Sequence, residues 1–263
     1  MNNQPIGVFD SGIGGLTILR ALRKTLPHEQ LIYFGDTANV PYGGKSKAAV
    51  TQLALNVARF LESCQVKLIV VACNTASAQA LTTLQKKLSI PVVGVIEPGA
   101  DAAVKATKNH KIAVLGTQGT VESRAYVKAI AKRCKQAKVF QQACPLFVPL
   151  AEEGFANKPA AKLIAQEYLQ PVKKSRADTV ILGCTHYPIL KKLIAQIMGP
   201  QVTLVDSADT LARAVSQFLQ VHHLAATGRG RVKLYASDAP DKFTRSAQKL
   251  LVEKTTRATL KKV

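Results

Sequence analysis

Two cysteines stand in matched settings. Cys73 closes the apolar run Leu68-Ile69-Val70-Val71-Ala72 and is followed by Asn74-Thr75-Ala76-Ser77. Cys184 closes Thr179-Val180-Ile181-Leu182-Gly183 and is followed by Thr185-His186-Tyr187-Pro188. Apolar runs of this kind read as buried parallel strands. After Cys73, Asn74 and Thr75 offer capping side chains and 76–84 reads as a helix; after Cys184, a helix is expected from about Ile189. Each thiol is therefore predicted where a strand ends and a helix begins, the place where open α/β sheets bind ligands. The positive end of a helix favours a thiolate, which predicts a lowered thiol pKa. A lone buried cysteine is commonly a small packing residue. The repeated setting argues for function instead.

Two thiols without metal spacing can serve several chemistries. A redox pair is usually close in sequence on one helix end, unlike this one. A hydrolytic nucleophile needs one cysteine, not two in mirrored settings. Two-base proton transfer uses the symmetry: one thiolate removes a proton from carbon and the opposite thiol delivers one to the other face. Such a pair titrates as a coupled unit.

The flanking elements must position these groups. Residues 6–9 read as a strand, Asp10-Ser11-Gly12-Ile13-Gly14-Gly15 as a Gly-rich loop and 16–25 as a helix. A second strand, 31–34, closes on Gly35-Asp36, where Asp36 is read as ending a turn. A loop through Pro41-Tyr42-Gly43, a helix over 47–63, the Cys73 strand and helix, and a strand over 92–96 follow. A second unit then begins: strand 111–116, a loop at Thr117-Gln118-Gly119-Thr120, helix 123–133, strand 139–140, Glu152-Glu153-Gly154, helix 158–173, the Cys184 strand and strand 203–206. Ser11 precedes Cys73 by nearly the spacing at which Thr117 precedes Cys184. The expected fold is α/β: two similar domains from an internal duplication, with mainly parallel sheets and right-handed crossovers. Residues 1–96 with 207–263 form the first domain and 97–206 the second. The segment 232–238 is expected to rejoin the first sheet, and 242–262 to form a basic amphipathic helix or tail.

The 263 residues can bury a large core, and 47% are hydrophobic. No apolar run reaches membrane-spanning length and no signal-peptide pattern opens the chain, so a cytoplasmic protein is expected. Five cysteines with no CxxC argue against a disulfide framework and a structural zinc site. The net charge of +20 would attract anions in a salt-dependent way. The basic residues are spread along predicted helices, however, and no aromatic-interleaved nucleic-acid motif accompanies them. The first Gly-rich loop lacks both the GxGxxG spacing and a P-loop lysine, so nucleotide binding is not expected. Cys64, Cys134 and Cys144 read as packing residues, and His28, His110, His222 and His223 as solvated.

Taken together, Phe9-Asp10-Ser11-Gly12-Ile13-Gly14-Gly15-Leu16, Gly35-Asp36-Thr37, Pro41-Tyr42-Gly43, Ala72-Cys73-Asn74-Thr75-Ala76 and Gly183-Cys184-Thr185-His186-Tyr187-Pro188 closely resemble the glutamate racemases. The resemblance runs from Ile6 to about Asp206. It implies two α/β domains about a pseudo-twofold axis, the active site in the cleft between them, no cofactor and no metal. It implies interconversion of L- and D-glutamate, supplying D-glutamate for peptidoglycan, by a homodimer without membrane association. Cys73 and Cys184 would be the acid/base thiols, Asp10 assisting the first, His186 and Glu152 the second. Asp10, Ser11, Tyr42, Gly43, Asn74, Thr75, Thr185 and His186 would bind substrate, with Thr117 a further candidate.

Asp10 could equally cap the helix that follows it. Aspartate is the competing substrate, and the paired motifs do not separate the two. A basic protein binding nucleic acid or a DNA-handling enzyme is the alternative of another class, not expected for the main activity. With almost no chain before the first strand, an activator site built from an N-terminal extension is not expected.

Overall fold

The computed structural model describes residues 2–251 and 257–263. The chain alternates strand and helix. It opens with β1 (Ile6–Asp10), α1 (Leu16–Thr25), β2 (Leu31–Gly35), α2 (Lys47–Ser63), β3 (Leu68–Val71), α3 (Asn74–Lys87), β4 (Val92–Gly94) and α4 (Ile96–Ala106). A second series follows: β5 (Lys111–Gly116), α5 (Gln118–Ser123), α6 (Ala125–Arg133), β6 (Lys138–Ala143), α7 (Phe147–Glu152), α8 (Pro159–Lys174), β7 (Thr179–Gly183), α9 (Lys191–Met198) and β8 (Thr203–Asp206). The chain closes with α10 (Ser207–Val221), β9 (Val232–Ala236), α11 (Pro240–Leu251) and β10 (Thr259–Leu260).

All strand pairings are parallel and form two sheets. The first has the order β10-β9-β2-β1-β3-β4 and the second β6-β5-β7-β8. The run β2-β1-β3-β4 and the whole second sheet have the same order, so Cys73 and Cys184 each follow the third strand of a matching unit. β9 rejoins the first sheet beside β2, Leu31 pairing with Val232. Sheet membership supports, as a proposal, a first domain of 1–96 with 207–263 and a second of 97–206.

The strands are apolar on both faces because helices cover both. Alternate side chains of one strand feed separate cores. Ile6, Val8, Leu68 and Val70 join Ile112, Val114 and Ile181 in a central cluster shared by both sheets with α1, α4 and α10. Phe9, Ile69 and Val71 face outward under α2 and α3, while Leu115, Val180 and Leu182 face α8 and α9. Each such fully buried aliphatic side chain contributes about 1.5–3 kcal/mol. The two sheets are therefore joined by a common apolar core, not merely by linkers.

Several expected boundaries move. The strand at 92–96 stops at Gly94, because Ile96 opens α4. Pro98 is tolerated there because it falls in the first helical turn, whose N–H groups have no intrahelical partner. The second loop is the short helix α5, capped by Thr117, whose Oγ1 accepts from the Thr120 N–H at 3.3 Å. Arg124, at φ 53°, separates it from α6, so the expected 123–133 helix is two pieces. After Cys184 a 3-10 turn over Tyr187–Leu190 precedes α9. The expected helix over 242–262 ends at Leu251, and Thr259–Leu260 pairs with β9 as a strand; 252–256 lie outside the described residues. Among the described residues no helix is long and apolar enough to cross a membrane.

Candidate functional site

The cysteines sit at the C-terminal ends of β3 and β7 and line one narrow cleft. Ser11, Pro41, Tyr42, Gly43, Asn74 and Thr75 line it from the first unit. Thr117, Val148, Thr185 and His186 line it from the second. Asp10 and Glu152 stand one contact behind this lining. Asp10 ends β1, fully buried; its Oδ2 accepts from the N–H groups of Gly12 (3.1 Å) and Gly15 (3.0 Å). Its Oδ1 accepts from the Thr185 hydroxyl at 3.3 Å. One carboxylate thus shapes the first Gly-rich loop and ties it to the second unit. Glu152 ends α7, and its Oε1 lies 2.9 Å from His186 Nε2. The other ring nitrogen, Nδ1, lies 3.8 Å from Cys184 Sγ, which makes a Glu152–His186–Cys184 line.

Two glycines are required by close approach. A Cβ on Gly43 would sit 2.7 Å from the Thr117 side chain, and one on Gly14 would collide with Thr185 Oγ1 and the His186 ring. The contacts that need them cross between the two units.

The helix-end expectation for Cys73 is overturned. Cys73 itself is the cap of α3, displacing Asn74 and Thr75 from that role; its Sγ accepts from the Ala76 N–H at 3.5 Å and lies 3.9 Å from Ser11 Oγ. Burial is the largest influence and the charge of Asp10 adds to it, so the thiol is pushed up to about 12, not lowered. One long N–H···S contact does not offset the lost hydration. His186 moves the other way. Burial alone would lower it, but its contacts to Cys184 and Glu152 and the nearby charges of Cys184 and Asp10 win and push it up to about 10. Its imidazole is a cation at neutral pH.

This has a measurable consequence for stability. The folded chain keeps the His186 proton to about pH 10, whereas an unfolded chain releases it near 6.5. The folded state therefore binds more protons across that window, and the stabilisation, complete below about pH 6.5, is lost as pH rises to 10. Cys73 extends the decline from about 9 to 12. Urea unfolding followed from pH 6 upward should show it, and His186→Asn should flatten the lower window; an unchanged profile in that variant would refute the assignment.

The remaining polar groups form networks. Thr75, Thr117 and Thr120 hydroxyls cluster, with Oγ1 separations of 2.8, 3.0 and 3.4 Å. Tyr42 donates to Asp36 Oδ2 at 2.5 Å, and Asp36 Oδ1 accepts from Ser237 (2.7 Å) and Asn39 (3.0 Å). Asp36 thus does more than end a turn: it clamps the Tyr42 ring against the cleft. Asn74 donates through Nδ2 to the Tyr126 hydroxyl at 2.9 Å. Sequence reasoning missed Thr120, Tyr126, Val148 and the role of Asp36. Only Thr120 carried a signal, the Thr-x-x-Thr spacing after Gly116. Among the described residues no group of three or more His, Cys, Asp or Glu is arranged to hold a metal ion.

The comparisons with known proteins agree in direction. A family model described as Asp/Glu/Hydantoin racemase matches residues 16–215. A glutamate racemase of Geobacter metallireducens is 50% identical over 248 residues, covering 94% of this chain and 92% of that protein. A glutamate racemase isoform of Bacillus anthracis superposes with a TM-score of 0.97 at 36% identity, over 100% of this chain and 99% of that one. The Francisella tularensis glutamate racemase, solved in complex with D-glutamate, gives 0.91 at 38% identity over 99% and 98%. With a model spanning most of its length and relatives matching nearly all of it, this chain belongs to the Asp/Glu/Hydantoin racemase family and is an amino-acid racemase.

Proposed function

We propose that the chain interconverts L- and D-glutamate by proton transfer between two thiols, Cys73 and Cys184. The observation that carries this reading is the placement of both thiols, from matched strand ends, on one cleft. One thiolate takes the Cα proton; the opposite thiol gives its proton to the other face of the resulting carbanion; the pair is left with its protonation exchanged. The reverse reaction runs through the same two groups with roles swapped. No net proton is consumed.

The surrounding groups suit these roles. The Glu152–His186 pair places a protonated imidazole within reach of Cys184, poised to exchange a proton with that thiol. Cys73 rests as the thiol because burial and Asp10 hold its proton. A substrate ammonium entering the cleft would offset the Asp10 charge and ease loss of that proton. The Thr75, Thr117 and Thr120 hydroxyls supply donors for one carboxylate of glutamate, and Ser11 and the backbone N–H groups of Tyr42, Gly43 and Thr185 for the other. The Tyr42 hydroxyl itself is committed to Asp36.

The same reading carries a cytoplasmic location, a homodimer and supply of D-glutamate for peptidoglycan. Light scattering reads the second: about twice the 28.2 kDa chain mass is expected. For the chemistry, purified protein is incubated with D-glutamate in D2O without added cofactor. Loss of ellipticity with deuterium entering at Cα is expected. Exchange with aspartate instead would move the substrate assignment, and no exchange with either would overturn the reading.

A further inference from the structure

We propose that Tyr126 and Ser207 are positioning residues that hold the Asn74 side-chain amide with its carbonyl oxygen toward the cleft, as acceptor for the ammonium group of the substrate. The inference rests on the glutamate-racemase reading and names residues that act through Asn74. Asn74 is 2% exposed and lines the cleft. Its Nδ2 lies 2.9 Å from the Tyr126 hydroxyl and 3.5 Å from Ser207 Oγ. Its Oδ1 is buried with no hydrogen-bond partner. A buried unpartnered carbonyl is costly to keep, so a site that keeps one is built for a donor that arrives with the ligand.

The direction of the chain is fixed from its far end. Ser207 Oγ lies 3.2 Å from the Leu182 carbonyl oxygen, which can only accept, so the serine proton is spent there. Ser207 is then left as an acceptor, so the amide end that faces it at 3.5 Å is the NH₂, which also donates to the Tyr126 oxygen at 2.9 Å. Rotating the amide would set Oδ1 against Ser207 Oγ, two acceptors. With Asn74 Nδ2 donating to Tyr126 and Ser207, and Ser207 donating to Leu182, Oδ1 is the amide atom left for the cleft.

Tyr126 itself is held rigidly. It is fully buried, and a Cβ on Gly99 or Gly183 would meet its ring at 3.1 and 3.2 Å. It belongs to α6 of the second unit, while Asn74 opens α3 of the first. The selectivity of the cleft for a donor is therefore set across the junction of the two units.

The test compares binding of D-glutamate with that of 2-oxoglutarate, which presents an acceptor where glutamate presents an ammonium, using titration calorimetry on the full-length chain. In the wild type, 2-oxoglutarate meets Oδ1 acceptor to acceptor and binds much more weakly. In Tyr126→Phe the amide is free to turn its NH₂ to the cleft. In Ser207→Ala the acceptor that excludes Oδ1 is gone, so the Tyr126 hydroxyl can donate to Oδ1, which turns the amide without removing the tyrosine. Both variants are expected to lower the ratio of the 2-oxoglutarate Kd to the glutamate Kd by roughly tenfold. Loss of packing alone would weaken both ligands together and leave the ratio at its wild-type value; that result overturns the proposal. Should Tyr126→Phe fail to fold, Ser207→Ala carries the same test. A wild type that racemises glutamate while the ratio stays fixed refutes this inference alone. A wild type that binds neither ligand and exchanges no Cα proton refutes the glutamate reading and this inference with it.

Discussion

Replacing either Cys73 or Cys184 by alanine is expected to slow glutamate racemisation at least roughly a thousandfold, and replacing both to cost little more than replacing one. Every turnover in either direction needs one thiolate and one thiol on opposite faces of Cα, so the two act as a unit and their losses do not add. A one-base scheme makes the opposite forecast: one cysteine would be dispensable, and the variant lacking it would retain most of its rate. Circular dichroism with each enantiomer, run on both single variants and the double, separates the schemes. Full activity in either single variant would sink the two-thiol mechanism. The buried positions of both side chains make a folding control necessary, and thermal melting within a few degrees of wild type supplies it.

Lys67→Met is expected to destabilise the fold by about 3–5 kcal/mol with little change in the turnover of the protein that remains folded. Lys67 Nζ lies 2.6 Å from Glu29 Oε2, with both side chains almost fully buried. The ammonium also donates to the carbonyls of Asn2 (2.6 Å) and Leu224 (2.7 Å), and Glu29 Oε1 accepts from the Ala226 N–H (2.8 Å). The cluster pins the loop that returns the chain to the first sheet after α10. It sits at the N-terminal ends of the strands, opposite the cleft. Removing the lysine strands a carboxylate in an apolar setting, which costs far more than the pair contributes over well-packed neutral residues. The double change Lys67→Met with Glu29→Leu should therefore recover most of the loss. Urea unfolding of the three proteins reads this; a single-variant loss under about 1 kcal/mol, or no recovery in the double, would refute it.

What could be read from sequence followed physical locality. The strands at Ile6, Leu31, Leu68, Lys111 and Thr179 are continuous apolar runs, and α1 and α2 have the expected bounds, because sheet burial and helical periodicity leave their mark within a few residues. The matched Cys73 and Cys184 settings showed the internal repeat, which the shared strand order bears out. Local rules misled where tertiary contacts overrode them. The strand expected over 92–96 gives way to α4 at Ile96, and Thr259–Leu260 pairs with β9 instead of continuing as a helix.

The sequence by itself determined the strand ends that carry the thiols, the repeat that pairs them, and the family. Only the tertiary structure decided the electrostatics. A helix end next to Cys73 suggests a stabilised thiolate; burial and Asp10, nearby only in the fold, push the thiol up to about 12 instead. Glu152, 34 positions away in sequence, lies 2.9 Å from His186 and helps hold its proton, a contact only the fold makes. Asn74 reads as a cap until Tyr126 and Ser207 orient its amide. Residue types and strand periodicity are properties of short stretches of chain. Proton affinity and hydrogen-bond direction depend on what surrounds a group within a few ångströms, and those neighbours are brought together by folding.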